Sequence, residues 1–361
     1  MINSQPLIET FTNRFGNPAH KPTMVRAPGR INIIGEHTDY NEGFVLPAAI
    51  DRYIYFAARA NGTTSCNLYS FDEREAYSID LEDHLHPSET FWANYLIGTI
   101  SQLKERGYTP EGFDCVFAGN VPIGAGMSSS AALECGFATV ISELFGFKIE
   151  KTAIAHIGQQ AEHRFAGTKC GIMDQFASLF GKANSLIKLD CRTLDHEYVS
   201  LSDSWDYHIV LANTHVKHTL AESGYNSRRA DCEHGVATIR EMYPDVKALR
   251  DVSPAMLEEF REVLDPVVYS RCEYVFEENR RVEETCQAIH DADAAAFGRL
   301  IYASHEGLKN KYDVSCKELD DFVDWASEVD GVLGARMMGG GFGGCTVNVV
   351  EAGAVDDFKH H

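Results

Sequence analysis

Apolar residues recur along this chain with two different periods. Short β-like runs at residues 54–58 (Ile-Tyr-Phe-Ala-Ala) and 113–117 (Phe-Asp-Cys-Val-Phe), set between turn formers, predict strands. Residues 185–189 and 207–212 read the same way, and the polar stretch 201–204 between them predicts a linker. Residues 129–144 predict an apolar helix opened by small residues, and 158–165 belong to a second helix. The second half is more helical. Val275, Val282, Cys286 and Ile289 form one apolar stripe, with Glu277, Glu278, Arg280 and Arg281 expected outside it. Residues 256–263 and 319–329 predict further helices, and the glycine run 339–344 leads into a strand at 345–350. Strands and helices mixed without regular alternation argue for an α+β fold.

The chain has 361 residues, more than one core usually serves, so two domains are expected. The expected division is an N-terminal lobe at residues 1–200 and a C-terminal lobe at 201–361. Lys plus Arg total 32 against 53 Asp plus Glu, a formal net charge of -21. Such an acidic chain repels nucleic-acid phosphates and anionic lipid, which excludes nucleic acid and membrane as partners. An anionic ligand would then need a few local donors or a metal. No basic segment followed by an apolar run opens the sequence, and no apolar stretch is long enough to span a bilayer, so a cytoplasmic protein is expected. The ten cysteines include no C-x-x-C pair and several sit singly in apolar runs, as reduced core thiols do.

Three segments carry candidate chemistry. In Val121-Pro122-Ile123-Gly124-Ala125-Gly126-Met127-Ser128-Ser129-Ser130-Ala131-Ala132-Leu133-Glu134, glycines let the backbone approach a ligand. Serines then open a helix whose first N–H groups lack partners. Together these make a phosphate cradle. No Gly-Lys-Ser/Thr follows, so it is not a Walker A loop, and Ser129 stands where a dinucleotide fingerprint would need glycine. Alone it also fits an ordinary helix start. In the second segment, Arg26 to Tyr40, an apolar strand runs into a turn holding Glu36, His37 and Asp39. These groups suit a polyhydroxyl ligand, while Arg30 offers a donor fork for phosphate. A surface turn with a capping Asp is the plainer alternative. The third is Lys169-Cys170-Gly171-Ile172-Met173-Asp174-Gln175-Phe176, where Asp174 is a carboxylate among apolar residues. Desolvation would raise its pKa and a nearby cation would lower it again; a helix cap is the alternative.

Taken together, these segments resemble the GHMP kinases. Residues 29–40 are similar to the galactokinase signature, 121–134 to the superfamily's glycine-serine phosphate motif and 338–345 to its C-terminal glycine motif. Smaller matches at 92–95, 170–175 and 223–229 keep the family's order, so the resemblance spans roughly 23–350. It implies a two-lobed GHMP kinase fold. The N-terminal lobe would carry a mixed sheet and the phosphate loop, the C-terminal lobe would be ferredoxin-like, and the active site would lie in the cleft between them.

The implied activity is ATP-dependent phosphorylation of galactose at its C1 hydroxyl by a monomer, with Mg²⁺ as cofactor and ATP and galactose as partners. By the same resemblance Gly124, Ala125, Gly126, Met127, Ser128, Ser129 and Ser130 take the ATP phosphates. Trp92 packs on adenine, Ser70 is a nucleotide-contacting position, and Ser130 and Glu162 take Mg²⁺. Glu36, His37, Asp39, Gly171 and Tyr225 face the sugar, Asp174 is the base, and Arg30 is its cationic partner. The last glycine loop is a tight turn or a ligand contact. Family members usually continue past 346–350 with a helix and a final strand; this difference is expected to affect stability more than chemistry. A sister kinase acting on N-acetylgalactosamine or arabinose, or a non-catalytic sugar sensor, are the alternative functions.

Overall fold

The computed structural model describes residues 5–16, 21–200, 205–217 and 221–361; the expected linker at 201–204 lies outside them. In order come α1 (Gln5–Phe15), β1 (Thr23–Asn32), β2 (Phe44–Val45), β3 (Pro47–Ala60), β4 (Ser65–Ser70), β5 (Glu75–Asp80), α2 (Phe91–Glu105), β6 (Phe113–Gly119), α3 (Ser129–Phe145), α4 (Lys151–Ala161) and α5 (Met173–Phe180). They are followed by β7 (Leu186–Asp190), β8 (His196–Val199), β9 (Tyr207–Lys217), α6 (Ala221–Arg240), α7 (Pro254–Glu259), α8 (Pro266–His290), α9 (Ala294–Gly307), α10 (Lys317–Ser327), β10 (Val332–Met337), β11 (Gly343–Glu351) and α11 (Val355–His360). No helix among the described residues is long and apolar enough to cross a membrane.

The chain divides into two units that interleave in sequence. One comprises residues 1–30, 50–122 and 128–180; the other 31–49, 123–127 and 181–361. The first is built on a sheet of order β1-β3-β6-β4-β5, in which β3 runs antiparallel and β4 parallel to β6. Helices α2, α3, α4 and α5 pack on one another beside it. Helix α3 is apolar almost all round, with Ala131, Ala132, Leu133, Cys135, Phe137, Ala138, Val140 and Ile141 buried, as a helix sealed inside a core must be. It stops at Gly146 in the left-handed conformation.

The second unit holds two three-stranded sheets, β10-β11-β9 and β2-β7-β8. Helices α9 and α10 pack on β10, and α6 and α9 pack on α8. Its core gathers Ile239, Leu264, Tyr274, Val275, Leu308, Tyr312, Leu319 and Met337. Helix α8 starts with Pro266 behind Asp265, whose carboxylate accepts the Val267 N–H.

The predicted strands at 54–58, 113–117, 207–212 and 345–350 fall within β3, β6, β9 and β11, that at 185–189 overlaps β7 but starts one residue early, and the predicted helix at 129–144 is α3. The helix expected at 158–165 is the end of α4 plus a wider π-type turn, Glu162–Ala166. That expected at 256–263 stops at Glu259, where short turns tuck Phe260 and Leu264 into the core. The outward face assigned to α8 needs correction. Glu278 is fully buried and Arg281 nearly so, because they form an ion pair at 2.6 Å inside the unit. Ser304 Oγ and the Gly35 N–H donate to the other Glu278 oxygen, so its charge is satisfied.

Candidate active site

In the first unit, β1 and α5 bring Arg30 and Asp174 together across 144 residues of sequence. Ser178 Oγ, one turn along α5, donates to the Pro28 carbonyl at 2.8 Å and fixes the helix against the strand. Arg30 then donates Nε to Asp174 Oδ1 at 2.7 Å and Nη2 to Oδ2 at 2.6 Å, a two-pronged pair. Ser128 Oγ also donates to Oδ2 at 2.6 Å. Ser128 takes a left-handed conformation, φ 57°, just before α3, and its hydroxyl makes no helix-capping bond. The phosphate-loop serine therefore turns its side chain to the candidate base, which its place in the motif did not reveal.

Close by, Ser130 Oγ faces Glu162 Oε1 at 3.5 Å, a long contact. Gln175 Nε2 donates to Glu162 Oε2 and to Glu134 Oε2, both at 3.2 Å. Burial, then the neighbouring Asp174 carboxylate, raises the Glu162 pKa to about 7. Glu134 is raised as well, by burial and then by Glu162. Its Oε1, like Gln175 Oε1, is buried without a hydrogen bond. A crowd of desolvated carboxylates with an orphaned oxygen is what a cation relieves. A hydroxyl with one carboxylate fits Mg²⁺, which keeps water and phosphate oxygens as its other ligands. Among the described residues no three or more His, Cys, Asp or Glu form a complete metal site.

Ser70 and Trp92 meet around Phe117. Ser70 is paired with it across β4 and β6, and the Trp92 ring lies edge-on to it at 5.4 Å. Trp92 Nε1 donates to Glu75 at 2.7 Å, which fixes the ring. Gly171 is buried just ahead of α5.

In the second unit, the loop portion Gly124 to Met127 packs backbone to backbone on the last glycine loop. Gly126 has φ +73°, and a Cβ there would sit 2.9 Å from the Met338 carbonyl, so no side chain fits. The same unit holds Glu36, His37, Asp39 and Tyr225. The turn is clamped from two sides: Glu278 accepts the Gly35 N–H at 2.9 Å, and Glu36 Oε1 accepts the Gly339 N–H at 2.8 Å. His37 Nδ1 is bonded to Tyr40 Oη at 2.8 Å, and Tyr40 Oη to Tyr312 Oη at 2.7 Å. The His37 ring lies 5.3 Å from Tyr225. Burial, then the Arg228 charge, holds the His37 pKa down at about 3, so the imidazole is neutral. Asp39 Oδ1 accepts the Tyr40 N–H at 2.9 Å.

Sequence reasoning passed over Glu134, Tyr40, Tyr312 and Arg336. For Glu134 the signal was a carboxylate set among the apolar residues of the first turns of α3, and for Arg336 a lone cation in the strand Val332–Met337.

Matches to known proteins fall on these elements. Residues 94–182 match the family model "GHMP kinases N terminal domain" and 282–360 "GHMP kinases C terminal". A mevalonate kinase structure from Methanococcus jannaschii, 17% identical, covers 95% of each chain with a TM-score of 0.66. The fold is that of a GHMP kinase, as the motifs implied. Residues 9–60 match the "Galactokinase galactose-binding signature". The galactokinase of Roseiflexus sp. (strain RS-1) is 40% identical over 100% of this chain and 91% of its own length. That of Thermotoga maritima is 42% identical over 93% and 91%. The structure of Lactococcus lactis galactokinase complexed with galactose is 34% identical, with a TM-score of 0.92 over 99% of this chain and 92% of that one. The chain belongs to the galactokinase family.

Proposed function

We propose that this protein transfers the γ-phosphoryl group of ATP to the C1 hydroxyl of galactose, releasing galactose 1-phosphate and ADP. The observation that carries the reading is the Arg30–Asp174–Ser128 constellation, a carboxylate held by three donors at 2.6–2.7 Å beside the start of α3. Asp174 takes the proton of the attacking hydroxyl, a role that contributes ~10²–10⁴-fold. Arg30 fixes the carboxylate and sets a positive charge near the group in transfer, where positioning and charge stabilisation provide most of the catalysis. Residues 124–130 cradle the phosphates with backbone N–H groups at the N-terminus of α3. Trp92 packs on the adenine and Ser70 contacts the nucleotide. Glu36, His37, Asp39, Gly171 and Tyr225 hold the sugar. The neutral imidazole of His37 offers one donor or acceptor to a hydroxyl without drawing charge to it.

Ser130 and Glu162 would hold Mg²⁺, and the buried carboxylates beside them support this assignment. When bound, the ion neutralises β- and γ-phosphate oxygens. All ten cysteines are free thiols, which supports a cytoplasmic setting. The test is ADP release with ATP and Mg²⁺ across galactose, N-acetylgalactosamine, arabinose, glucose, mevalonate and homoserine. Strong release with galactose alone is expected. Release with another substrate only would overturn the substrate assignment, and none at all would overturn the enzymatic reading.

A further inference from the structure

We propose that Arg336 is a positioning residue for the sugar, acting through Glu36; the inference rests on the galactose reading above. Arg336 lies in β10 and is fully buried, and Glu36 is 2% exposed. The guanidinium donates Nε to the Ile33 carbonyl, Nη2 to the Asn32 carbonyl and Nη1 to the Met337 carbonyl, each at 2.7 Å. Its remaining Nη2 hydrogen goes to Glu36 Oε1 at 3.1 Å. One flat group therefore ties the end of β1, the end of its own strand and the carboxylate together.

The Gly339 N–H, two residues past β10, bonds the same Oε1 at 2.8 Å. Both donors converge on one oxygen, and Oε2 makes no hydrogen bond to a described residue. A carboxylate pinned at one oxygen by two donors has a fixed plane, so the direction of Oε2 is set in advance. That leaves Oε2 to accept a hydroxyl with little ordering to lose. A buried ion pair is weak evidence of stability, since apolar replacements are often as stable. Its geometry here, aimed at an acid with one open acceptor, gives it a reason to exist. Lysine cannot substitute, because one ammonium nitrogen cannot reach three carbonyls and a carboxylate lying in a plane.

The test uses Arg336→Lys, with Arg336→Gln as a second variant, each alone and combined with Glu36→Gln. The readouts are galactose affinity by calorimetry, KM for ATP, and the melting temperature. Folded Arg336→Lys should bind galactose at least ~10-fold more weakly, the size of a lost charge-assisted contact, with KM for ATP within two-fold. In the Glu36→Gln background the same change should add less than two-fold. Unchanged galactose affinity, a parallel rise in KM for ATP, or an equal loss without the Glu36 carboxylate would overturn the proposal. A galactose complex of the unaltered protein tests it without any variant: Oε2 should meet the sugar, and a sugar hydroxyl on Oε1 overturns it. If the unaltered protein binds no galactose, the functional reading falls instead.

Discussion

Replacing Asp174 with Asn separates chemistry from folding in this site. The amide keeps the shape of the carboxylate and removes its charge, so Arg30 loses an ionic partner and one of the three donors meets an NH₂ group. Breaking a fully buried ion pair by removing one partner costs about 3–5 kcal/mol, whereas an exposed pair contributes under about 1 kcal/mol. The Arg30 side chain is 5% exposed and that of Asp174 23%, which places the pair between these limits. A loss of about 1–3 kcal/mol follows, within the ~5–15 kcal/mol that usually keeps a domain folded. The effect on the barrier is larger. A general base contributes ~10²–10⁴-fold, or about 3–5 kcal/mol of activation free energy. Coupled ADP release at 25 °C should therefore show kcat for Asp174→Asn down at least ~100-fold, with ATP affinity within about three-fold and a modestly lowered melting temperature. A variant retaining more than a tenth of wild-type kcat would refute the base assignment. A loss of kcat matched by a loss of ATP binding would show that the carboxylate organises the site rather than taking the proton.

Other outcomes follow from the same geometry. Ser128→Ala removes one charge-assisted donor from Asp174 Oδ2, so kcat should fall about 10-fold with KM for ATP little changed; a rise in that KM instead would return the hydroxyl to the phosphates. Glu162→Gln keeps the contact with Gln175 within reach but removes the charge, so a Mg²⁺ titration of activity should shift to at least ~10-fold higher concentration. An unmoved titration would take Glu162 out of the metal role. His37 has a folded pKa of about 3, below its unfolded value near 6.5, because burial and Arg228 disfavour its charge. The unfolded chain then binds the extra proton first, so the contribution is intact above pH 6.5 and is lost as the pH falls towards 3. The loss amounts to about 2 kcal/mol by pH 5. Urea midpoints measured from pH 8 to 5 should fall more steeply for the unaltered protein than for His37→Asn, and equal slopes would contradict this.

Much of this protein could be read along the chain because the controlling interactions are local. The start of α3 at Ser129 follows from small residues before an apolar run, and β11 follows from a glycine loop ahead of Thr-Val-Asn-Val-Val. The glycines at 124, 126, 339, 341, 343 and 344 were visible as turn formers because a bare backbone takes positive φ with little strain, and the family followed from the order of the motifs. What stayed hidden was the burial of charge. Glu278 and Arg281 looked like the wet side of α8, since an amphipathic pattern cannot show that a carboxylate will accept the N–H of Gly35 from 243 residues away. Arg336 and Glu36 stand 300 residues apart, and Arg30 and Asp174 stand 144 apart. A charged side chain enters a core only where partners from other segments replace its water. The sequence by itself determined which groups are available and how the backbone turns near them. The tertiary structure alone decided which charges are paired inside, and so which oxygens remain open to a ligand.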